Sequence, residues 1–353
     1  MTPDVVVIGG GVAGASVAYH LVTSGARVVL VDRRDPGRAT DAGAGILSPE
    51  TTRVAGDAWP ALAHACGRYY RELAAQLPGD HGFAECGLLS VALGDWDTAA
   101  CEELASHAPA LVAVTPEQAR DLFPPLAEVA RAFWNPGAAR VDGRRFAAAV
   151  LAAAGAHGLE RVDASADRVS PGEVTAGGRT LRCGAVVVAG GAWSPAVAAQ
   201  LGVDLPVHPE RGQIAHLRVD ADTAGWPIVS PVLGDYFVPW PGGRVVTGAT
   251  REPEAGFAAH TTVAGLRQLA NEVARVAPGL VGAEVLEVRV GLRPASGDGL
   301  PVLGAIGAGV FAATGYGADG LLLSPWCGRL VAGWVLGAPV DAALEPFLAA
   351  RFL

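Results

Sequence analysis

Three glycines near the N-terminus, Gly9, Gly11 and Gly14, have the spacing Gly-x-Gly-x-x-Gly, and the acid Asp32 follows them. In a dinucleotide site the first glycine permits a tight turn, the second admits a pyrophosphate, and the third packs a helix on a strand. An acid at this distance can accept hydrogen bonds from a ribose. The spacing predicts a dinucleotide-binding site, and the alternative is an ordinary strand–helix turn whose glycines serve packing alone.

Arg293 and Tyr236 have the chemistry to hold a small substrate. Pro294 keeps Arg293 extended, so its guanidinium can project from a strand end and bind a carboxylate through two hydrogen bonds. The alternatives are a strand-end ion pair for Arg293 and hairpin packing for Tyr236. Arg211, which lies in a glycine turn, either steers the substrate or ties down its loop.

The elements that must position these residues follow from the apolar pattern. Residues 4–8 and 27–31 indicate two buried strands that flank a helix, which makes a βαβ unit. Residues 185–189 indicate a further strand of the same sheet. Residues 236–240 and 244–248 indicate a β-hairpin, and hence an antiparallel sheet elsewhere in the chain.

Two other stretches complete this interpretation. Residues 59–140 are expected to be mostly helical scaffold with Pro and Gly interruptions. The small side chains of residues 39–47 let a flat ring system approach the backbone. A second such contact so soon after the glycine turn suits a long, extended cofactor, and FAD is one.

Composition excludes several classes of function. The chain has 353 residues, enough for two lobes, and its net charge of −9 argues against nucleic acid as a partner. All 26 basic residues are arginine, which excludes lysine Schiff-base chemistry. The five cysteines and eight histidines lack metal-ligand spacing, so no metal is expected. Reduced thiols, with no signal peptide or membrane span in the sequence, predict a cytoplasmic protein.

Several motifs occur together in one order: the glycine turn, the loop 42–47, Pro-Glu-Arg-Gly-Gln at 209–213, Gly-Leu-Arg-Pro at 291–294 with Asp-Gly-Leu-Pro at 298–301, and the segment 314–325. Together they resemble the FAD-dependent D-amino-acid oxidase superfamily, and within it the glycine oxidases of the thiamine pathway. The resemblance covers essentially the whole chain.

The resemblance implies an α/β fold. A discontinuous FAD-binding domain of Rossmann type, glutathione-reductase-like, would comprise residues 1–75, 141–207 and 285–353. A substrate domain built on an antiparallel sheet would comprise residues 76–140 and 208–284. Arg293 matches the arginine that holds the substrate carboxylate, and Tyr236 matches a tyrosine of the same pocket. Ser165 falls at an adenine contact. Beside Gly9, Gly11 and Gly14, the residues matching FAD contacts are Val12, Ala13, Asp32, Arg33, Ala39, Thr40, Ala44, Gly45, Ile46, Tyr316, Gly317, Ala318, Asp319, Gly320, Leu321 and Leu322.

The implied activity is oxidative deamination of a small amino acid such as glycine, sarcosine or a D-amino acid. Hydride transfer to FAD would give an imine, and oxygen as acceptor would give hydrogen peroxide. Ala318 stands where glycine oxidases carry a second arginine, so substrate and electron acceptor stay open. The alternatives are a D-amino-acid or 2-hydroxy-acid dehydrogenase and a non-catalytic flavin-binding subunit. The chain could also assemble into a homo-oligomer. Arg33 and Arg34 would suit NADP, but Asp32 would repel its 2′-phosphate.

Overall fold

The computed structural model describes residues 2–52 and 56–353. Within this part of the chain the α-helices are α1 (Val12–Thr23), α2 (Ala39–Ala42), α3 (Trp59–Gln76), α4 (Asp95–His107), α5 (Pro116–Leu122), α6 (Gly143–Ala156), α7 (Ser194–Ala199), α8 (Val263–Val276) and α9 (Gly320–Val335). The strands are β1 (Val5–Ile8), β2 (Val28–Val31), β3 (Ile46–Leu47), β4 (Ala84–Glu85), β5 (Leu88–Ala92), β6 (Val112–Val114), β7 (Arg131–Asn135), β8 (Ala139–Arg140), β9 (Glu160–Val162), β10 (Ala166–Ser170), β11 (Glu173–Ala176), β12 (Arg179–Arg182), β13 (Ala185–Val188), β14 (Val207–Arg218), β15 (Ile228–Pro231), β16 (Tyr236–Trp240), β17 (Arg244–Gly248), β18 (Glu284–Ser296), β19 (Val302–Gly307) and β20 (Val310–Thr314). None of the described helices has the length and apolarity needed to cross a bilayer.

A parallel sheet with one antiparallel edge strand forms the cofactor half. Among the described residues its strand order is β19-β20-β13-β1-β2-β9, with β1 parallel to both β2 and β13. Helices α1, α3, α6 and α9 cover one face, and the sheet β10-β11-β12 with α7 covers the other. Burial on both faces explains the continuous apolar runs of β1, β2 and β13. The predicted βαβ unit and its further strand are confirmed.

The glycine turn after β1 has no room for side chains. Gly9 has a φ of +110°, and a Cβ there would lie 2.3 Å from the Ala189 carbonyl oxygen. A Cβ on Gly14 would lie 1.9 Å from the Gly9 carbonyl oxygen. The predicted roles of Gly9 in the tight turn and of Gly14 in the close packing of α1 on β1 are therefore confirmed.

The second large sheet carries the substrate half. Its strands in residues 2–52 and 56–353 follow the order β18-β14-β17-β16-β15-β5-β7-β6. Strands β14 and β18 pair antiparallel from Val207↔Ser296 to Arg218↔Glu284, and β16 and β17 form the predicted hairpin. Strands β5 and β15 run parallel, so the sheet predicted as antiparallel is mostly, but not entirely, antiparallel.

Residues 59–140 are not mostly helical, which corrects the sequence prediction. Strands β5 and β7 from this stretch pair with each other inside the second sheet. All five residues of β5 are buried, so it has no polar face and its sequence shows no alternation. A short apolar run of this kind cannot be assigned from periodicity alone, because a buried helix segment would look the same.

The predicted domain division stays a prediction, and the strand pairing bears on one of its boundaries. Residues 285–296 were assigned to the FAD-binding domain, but they belong to β18, which pairs with β14 of the second sheet. This pairing favours a boundary after Ser296.

A backbone hydrogen bond joins β18 to the loop that follows Asp32 in the cofactor half. The Leu292 N–H donates to the Gly37 carbonyl at 2.8 Å, and Arg38 and Leu292 form a parallel β-bridge. Leu292 precedes Arg293 in the chain. The strand that carries the predicted substrate arginine is therefore attached directly to the loop that follows Asp32.

Candidate active site

A cleft of about 1000 Å³ runs between the two large sheets. The glycine turn lines one end, the loops 39–46 and 316–322 line its middle, and Tyr236 and Arg293 line the other end. This volume is at the upper limit of typical ligand sites, roughly 300–1000 Å³, which suits a dinucleotide together with a small substrate.

The nucleotide end is built from backbone. Gly9, Gly11, Val12 and Ala13 line the cleft where α1 begins, so the positive end of the helix dipole faces it. The Val12 N–H donates to the Thr40 hydroxyl at 3.0 Å, which fixes α2 against the start of α1. Gly14 packs on β1 and is not among the lining residues.

Asp32 is held against the glycine turn by an arginine that the sequence analysis missed. The Arg38 Nη1 donates to Asp32 Oδ2 at 2.9 Å, and Arg38 Nε donates to Asp41 at 3.0 Å. A Cβ on Gly10 would lie 2.6 Å from Asp32 Oδ2, so the carboxylate lies directly over the turn. Arg33 lines the cleft but pairs with Asp35 at 2.5 Å. A carboxylate in this position suits a ribose diol and disfavours a 2′-phosphate.

The middle of the cleft has small side chains on two facing loops. Ala39, Thr40, Ala44, Gly45 and Ile46 line it from one side. Gly45 has a φ of +90°, and a Cβ there would lie 1.9 Å from the Val141 carbonyl oxygen. Because the side chains of this segment are small, they form a smooth surface against which a flat ring can lie.

The facing segment consists of the loop before α9 and the first residues of that helix. Its lining residues include all seven predicted positions, Tyr316, Gly317, Ala318, Asp319, Gly320, Leu321 and Leu322. Ala318 is exposed and offers no charge where the resembling family has an arginine. Burial raises the pKa of Asp319 to about 6, against the lowering effect of Arg251 and Arg293.

Ser165, the residue predicted to contact adenine, does not line the cleft. Its neighbours Ala164 and Ala166 do, in the segment that leads into β10. The assignment of Ser165 stays a prediction, and this placement favours its neighbours for the contact.

Arg293 is oriented by groups on neighbouring strands. Its Nη1 donates to Glu210 Oε1 at 2.8 Å and to the Thr250 carbonyl at 3.0 Å. Within the described residues no hydrogen bond engages Nη2 or Nε. Gly212 lies beneath the guanidinium, since a Cβ there would be 2.5 Å from Nη2. Arg293 lines the cleft, so the other edge of its fork is suited to a bidentate carboxylate.

A second guanidinium lies at the same place. Arg251 Nη1 donates to Glu210 Oε1 at 3.1 Å, and its side chain is 64% exposed. Arg251 and Arg293 therefore share one carboxylate oxygen, and Arg251 stands at the mouth of the cleft. The sequence analysis missed both Arg251 and Glu210.

Arg211 has a structural role, which resolves the alternative left open by the sequence. Its Nε and Nη2 donate to Glu252 Oε2 at 3.1 and 2.5 Å, and its Nη1 donates to the Ala258 carbonyl. The side chain is buried and does not line the cleft. Arg211 therefore ties down the loop that follows β17.

Two titratable groups lie beside Arg293 at the start of β16. Burial raises the pKa of Tyr236 to about 12, so its phenol keeps its proton at neutral pH and can donate to a carboxylate. Burial, and then the nearby Glu272, raise the pKa of Asp235 to about 6. The sequence analysis predicted Tyr236 and missed Asp235. No cluster of three or more metal-ligating side chains occurs in the described part of the chain.

A glycine-turn βαβ unit that opens into a cleft lined by a partly buried arginine is typical of a dinucleotide-dependent oxidoreductase. Residues 4–334 match the model of the family described as FAD dependent oxidoreductase, and the chain belongs to this family. Its cofactor is FAD. The glycine turn that a Cβ would fill and the small-residue surface both fit this group.

Individual proteins are similar over nearly their full length. The chain is 36% identical to the uncharacterized oxidoreductase YurR of Bacillus subtilis, over 97% of each chain. It is 32% identical to the glycine oxidase of Pseudomonas aeruginosa, over 96% of each chain. The crystal structure of iminodiacetate oxidase from Chelativorans sp. BNC1 superposes with a TM-score of 0.91 at 36% identity, covering 98% of each chain. The predicted superfamily, fold class and enzyme class are therefore confirmed.

Proposed function

We propose that the protein oxidises the amine of a small amino acid whose carboxylate is bound by Arg293. The observation that carries this proposal is the position of the Arg293 guanidinium, which lies in the same cleft as the glycine turn. Glycine oxidase and iminodiacetate oxidase, to which the chain is similar, are named for substrates with an amine next to a carboxylate. The product would be an imine that water hydrolyses, and oxygen or another acceptor would take the electrons. Five unpaired cysteines support a cytoplasmic location.

The residues that we expect to hold FAD line the cleft from the glycine turn to α9. Gly9, Gly11, Val12 and Ala13 would face the diphosphate, and Asp32 the ribose. Loops 39–46 and 316–322 would enclose the ring system. When bound, FAD supplies the acceptor for the hydride of the substrate's Cα–H bond.

The protein's own contribution is to place the substrate. Glu210 and the Thr250 carbonyl hold Arg293 Nη1, so the guanidinium is oriented before any ligand arrives. A substrate carboxylate that binds its remaining N–H groups has its plane fixed. The protonated Tyr236 can donate a further hydrogen bond from the neighbouring strand.

Arg251 favours a second candidate substrate class, amines that carry two carboxylates. Arg251 and Arg293 converge on one oxygen of Glu210, and Arg251 is exposed at the cleft mouth. A second substrate carboxylate could replace Glu210 as its partner. Iminodiacetate, the substrate named for one structural relative, is an amine of this kind.

Anaerobic flavin reduction tests both candidates. The FAD-loaded protein is mixed with glycine, sarcosine, D-alanine, iminodiacetate and glycolate, and the loss of flavin absorbance is followed. Air is then admitted, and hydrogen peroxide is measured. We expect reduction by an amine, and we expect Arg293→Ala to slow it by about 100-fold or more, since two charge-assisted hydrogen bonds are lost. Arg218→Ala, an exposed arginine of the same sheet, is the matched control.

Three outcomes discriminate among the candidates. Preference for iminodiacetate that is lost in Arg251→Ala supports the dicarboxylate class. Reduction by glycolate but by no amine identifies a 2-hydroxy-acid enzyme instead. Reduction by none of these ligands, or full activity in Arg293→Ala, contradicts the proposal.

A further inference from the structure

Asp235 is a buried carboxyl group that lines the cleft just before β16. The residue is 9% exposed, and it lies next to Tyr236. Its backbone N–H donates to Glu272 Oε2 at 3.1 Å, which fixes the residue against α8. Its carboxylate receives a single side-chain hydrogen bond among the described residues, a long one of 3.4 Å from Gln268.

The groups around Asp235 leave its charge uncompensated. On α8, Arg275 pairs with Glu272 at 2.6 Å and is already engaged, and the other arginine of this helix, Arg267, is exposed. Burial raises the pKa of both Asp235 and Tyr236, whereas from the strands Arg293 is close enough to lower both in part, and Arg251 lowers that of Tyr236. Arg293 donates to Glu210, and no ion pair of the described residues includes Asp235. An ionised carboxylate in such a position is costly unless a ligand cation pairs with it.

We propose that Asp235 binds the ammonium group of the substrate opposite Arg293 and accepts a proton from it. This inference rests on the proposed function and narrows its substrate class. A zwitterionic amino acid has a carboxylate for Arg293 and a cation for Asp235, so it complements both of these side chains. A 2-hydroxy acid complements one of them.

The proton transfer balances within the site. An N–H bond of the substrate ammonium breaks, an O–H bond forms on Asp235, and the net charge of the site is unchanged. The substrate is left with a neutral amine, the form needed for oxidation at Cα. Because burial and Glu272 raise the pKa of Asp235 to about 6, it is a stronger base than an ordinary carboxylate and is still ionised at pH 7.

The test uses the FAD-loaded Asp235→Asn protein with Asp220→Asn as the matched control. Asp220 is an exposed residue of the same half and does not line the cleft. The best amine from the substrate screen is used to measure the limiting rate of anaerobic flavin reduction at several pH values. Binding of acetate, a carboxylate without an amine, is measured from the shift of the flavin spectrum.

We expect Asp235→Asn to lower the limiting rate about 100-fold at pH 7, a typical effect of losing a proton acceptor. Acetate affinity should change less than about threefold, since acetate has no group for Asp235. In the wild type the rate at low amine concentration, which reports the pKa of groups in the free protein, should rise with pH through about 6, and in Asp235→Asn this rise should move towards the pKa of the free amino group. Asp235→Glu should restore part of the rate.

Each contrary outcome has a distinct meaning. If the wild type is reduced by an amine and Asp235→Asn keeps the rate and pH profile of Asp220→Asn, the inference about Asp235 is wrong and the proposed function stands. If no amine reduces the wild type, the proposed function fails and the inference fails with it. Should Asp235→Asn not retain FAD, Asp235→Ser provides the same comparison. A rate of flavin reduction and a pH profile equal to those of the wild type in Asp235→Ser would overturn the inference.

Discussion

The two ends of the cleft are lined by different kinds of group. At the nucleotide end the lining is built from the backbone of the turn, and positions such as Gly9 have no room for a side chain. At the substrate end the lining includes the charged side chains of Arg293, Glu210 and Asp235. It follows that added bulk should disable the first end, whereas changed charge should disable the second. Substitutions that separate these effects test whether the ends are independent.

The largest effect is expected from Gly9→Ala. A Cβ at Gly9 would lie 2.3 Å from the Ala189 carbonyl oxygen, at a φ of +110°, so the turn must rearrange. We expect the protein to be isolated without FAD, with affinity reduced at least about 100-fold on reconstitution. Gly25→Ala is the control, because Gly25 also has a positive φ, +89°, but no atom within 4 Å. A yellow Gly9→Ala protein with normal affinity would show that the turn does not define the site.

A smaller effect, confined to the substrate end, is expected from Arg293→Lys. Lysine keeps the charge but loses the planar fork that holds a carboxylate through two hydrogen bonds. We expect kcat/KM to fall about 100-fold, roughly 3 kcal/mol, while the FAD content is unchanged. Steady-state kinetics and the flavin absorbance of the purified protein measure the two quantities. Joint loss of FAD and activity would break the proposed independence of the two ends.

Gly212→Ala should have a milder effect, because it adds volume at the substrate end of the cleft without changing any charge there. The new methyl group would meet the Arg293 guanidinium, whose Nη2 lies 2.5 Å from the ideal Cβ position. A flexible side chain can shift, so we expect KM to rise about 10-fold with little change in FAD binding. Gly297→Ala serves as control, because its nearest neighbour, Pro206, lies at an ordinary 3.6 Å. Equal KM values for the two variants would contradict a positioning role for Gly212.

The smallest expected effect concerns stability and pH at Asp235. Its folded-state pKa, about 6, lies above the usual 3.8, so the folded protein binds this proton more tightly than the unfolded chain. Stability therefore falls as the pH rises from about 4 to 6, and the penalty persists above pH 6. Asp235→Asn removes it, and we expect a gain on the order of 2 kcal/mol at pH 8 that is absent at pH 4. Thermal unfolding of both proteins at the two pH values measures this, and an equal difference at both would exclude ionisation as the cause.

The nucleotide end could be predicted because its determinants are local. One continuous segment of 32 residues contains both strands, the helix, the glycines and the acid. Arg38 was missed, since nothing in its sequence context indicates that it pairs back to Asp32. The short strand β5 was missed because burial on both faces removes the alternation that marks a strand.

The substrate end was harder to predict because its residues meet only through sheet pairing. Arg293 was found from a family motif, but its partner Glu210 lies opposite it in the β14–β18 register, 83 residues away in sequence. Arg251 joins them from the loop after β17, and Asp235 from the turn before β16. Without the register, no spacing rule brings these four residues together. The motif Pro-Glu-Arg-Gly-Gln contained Glu210, yet nothing local distinguished it from its neighbour Arg211.

The hydrogen bond from Leu292 to Gly37 has a consequence for how the enzyme admits its ligands. It lies one residue from Arg293 on one side and one residue from Arg38, the partner of Asp32, on the other, so it links the residues proposed to hold substrate and ribose. The spacing between those residues is therefore set when the chain folds and does not wait for two lobes to swing shut. The exposed side chain of Arg251 is then the charge that an entering molecule meets first at the mouth of the cleft.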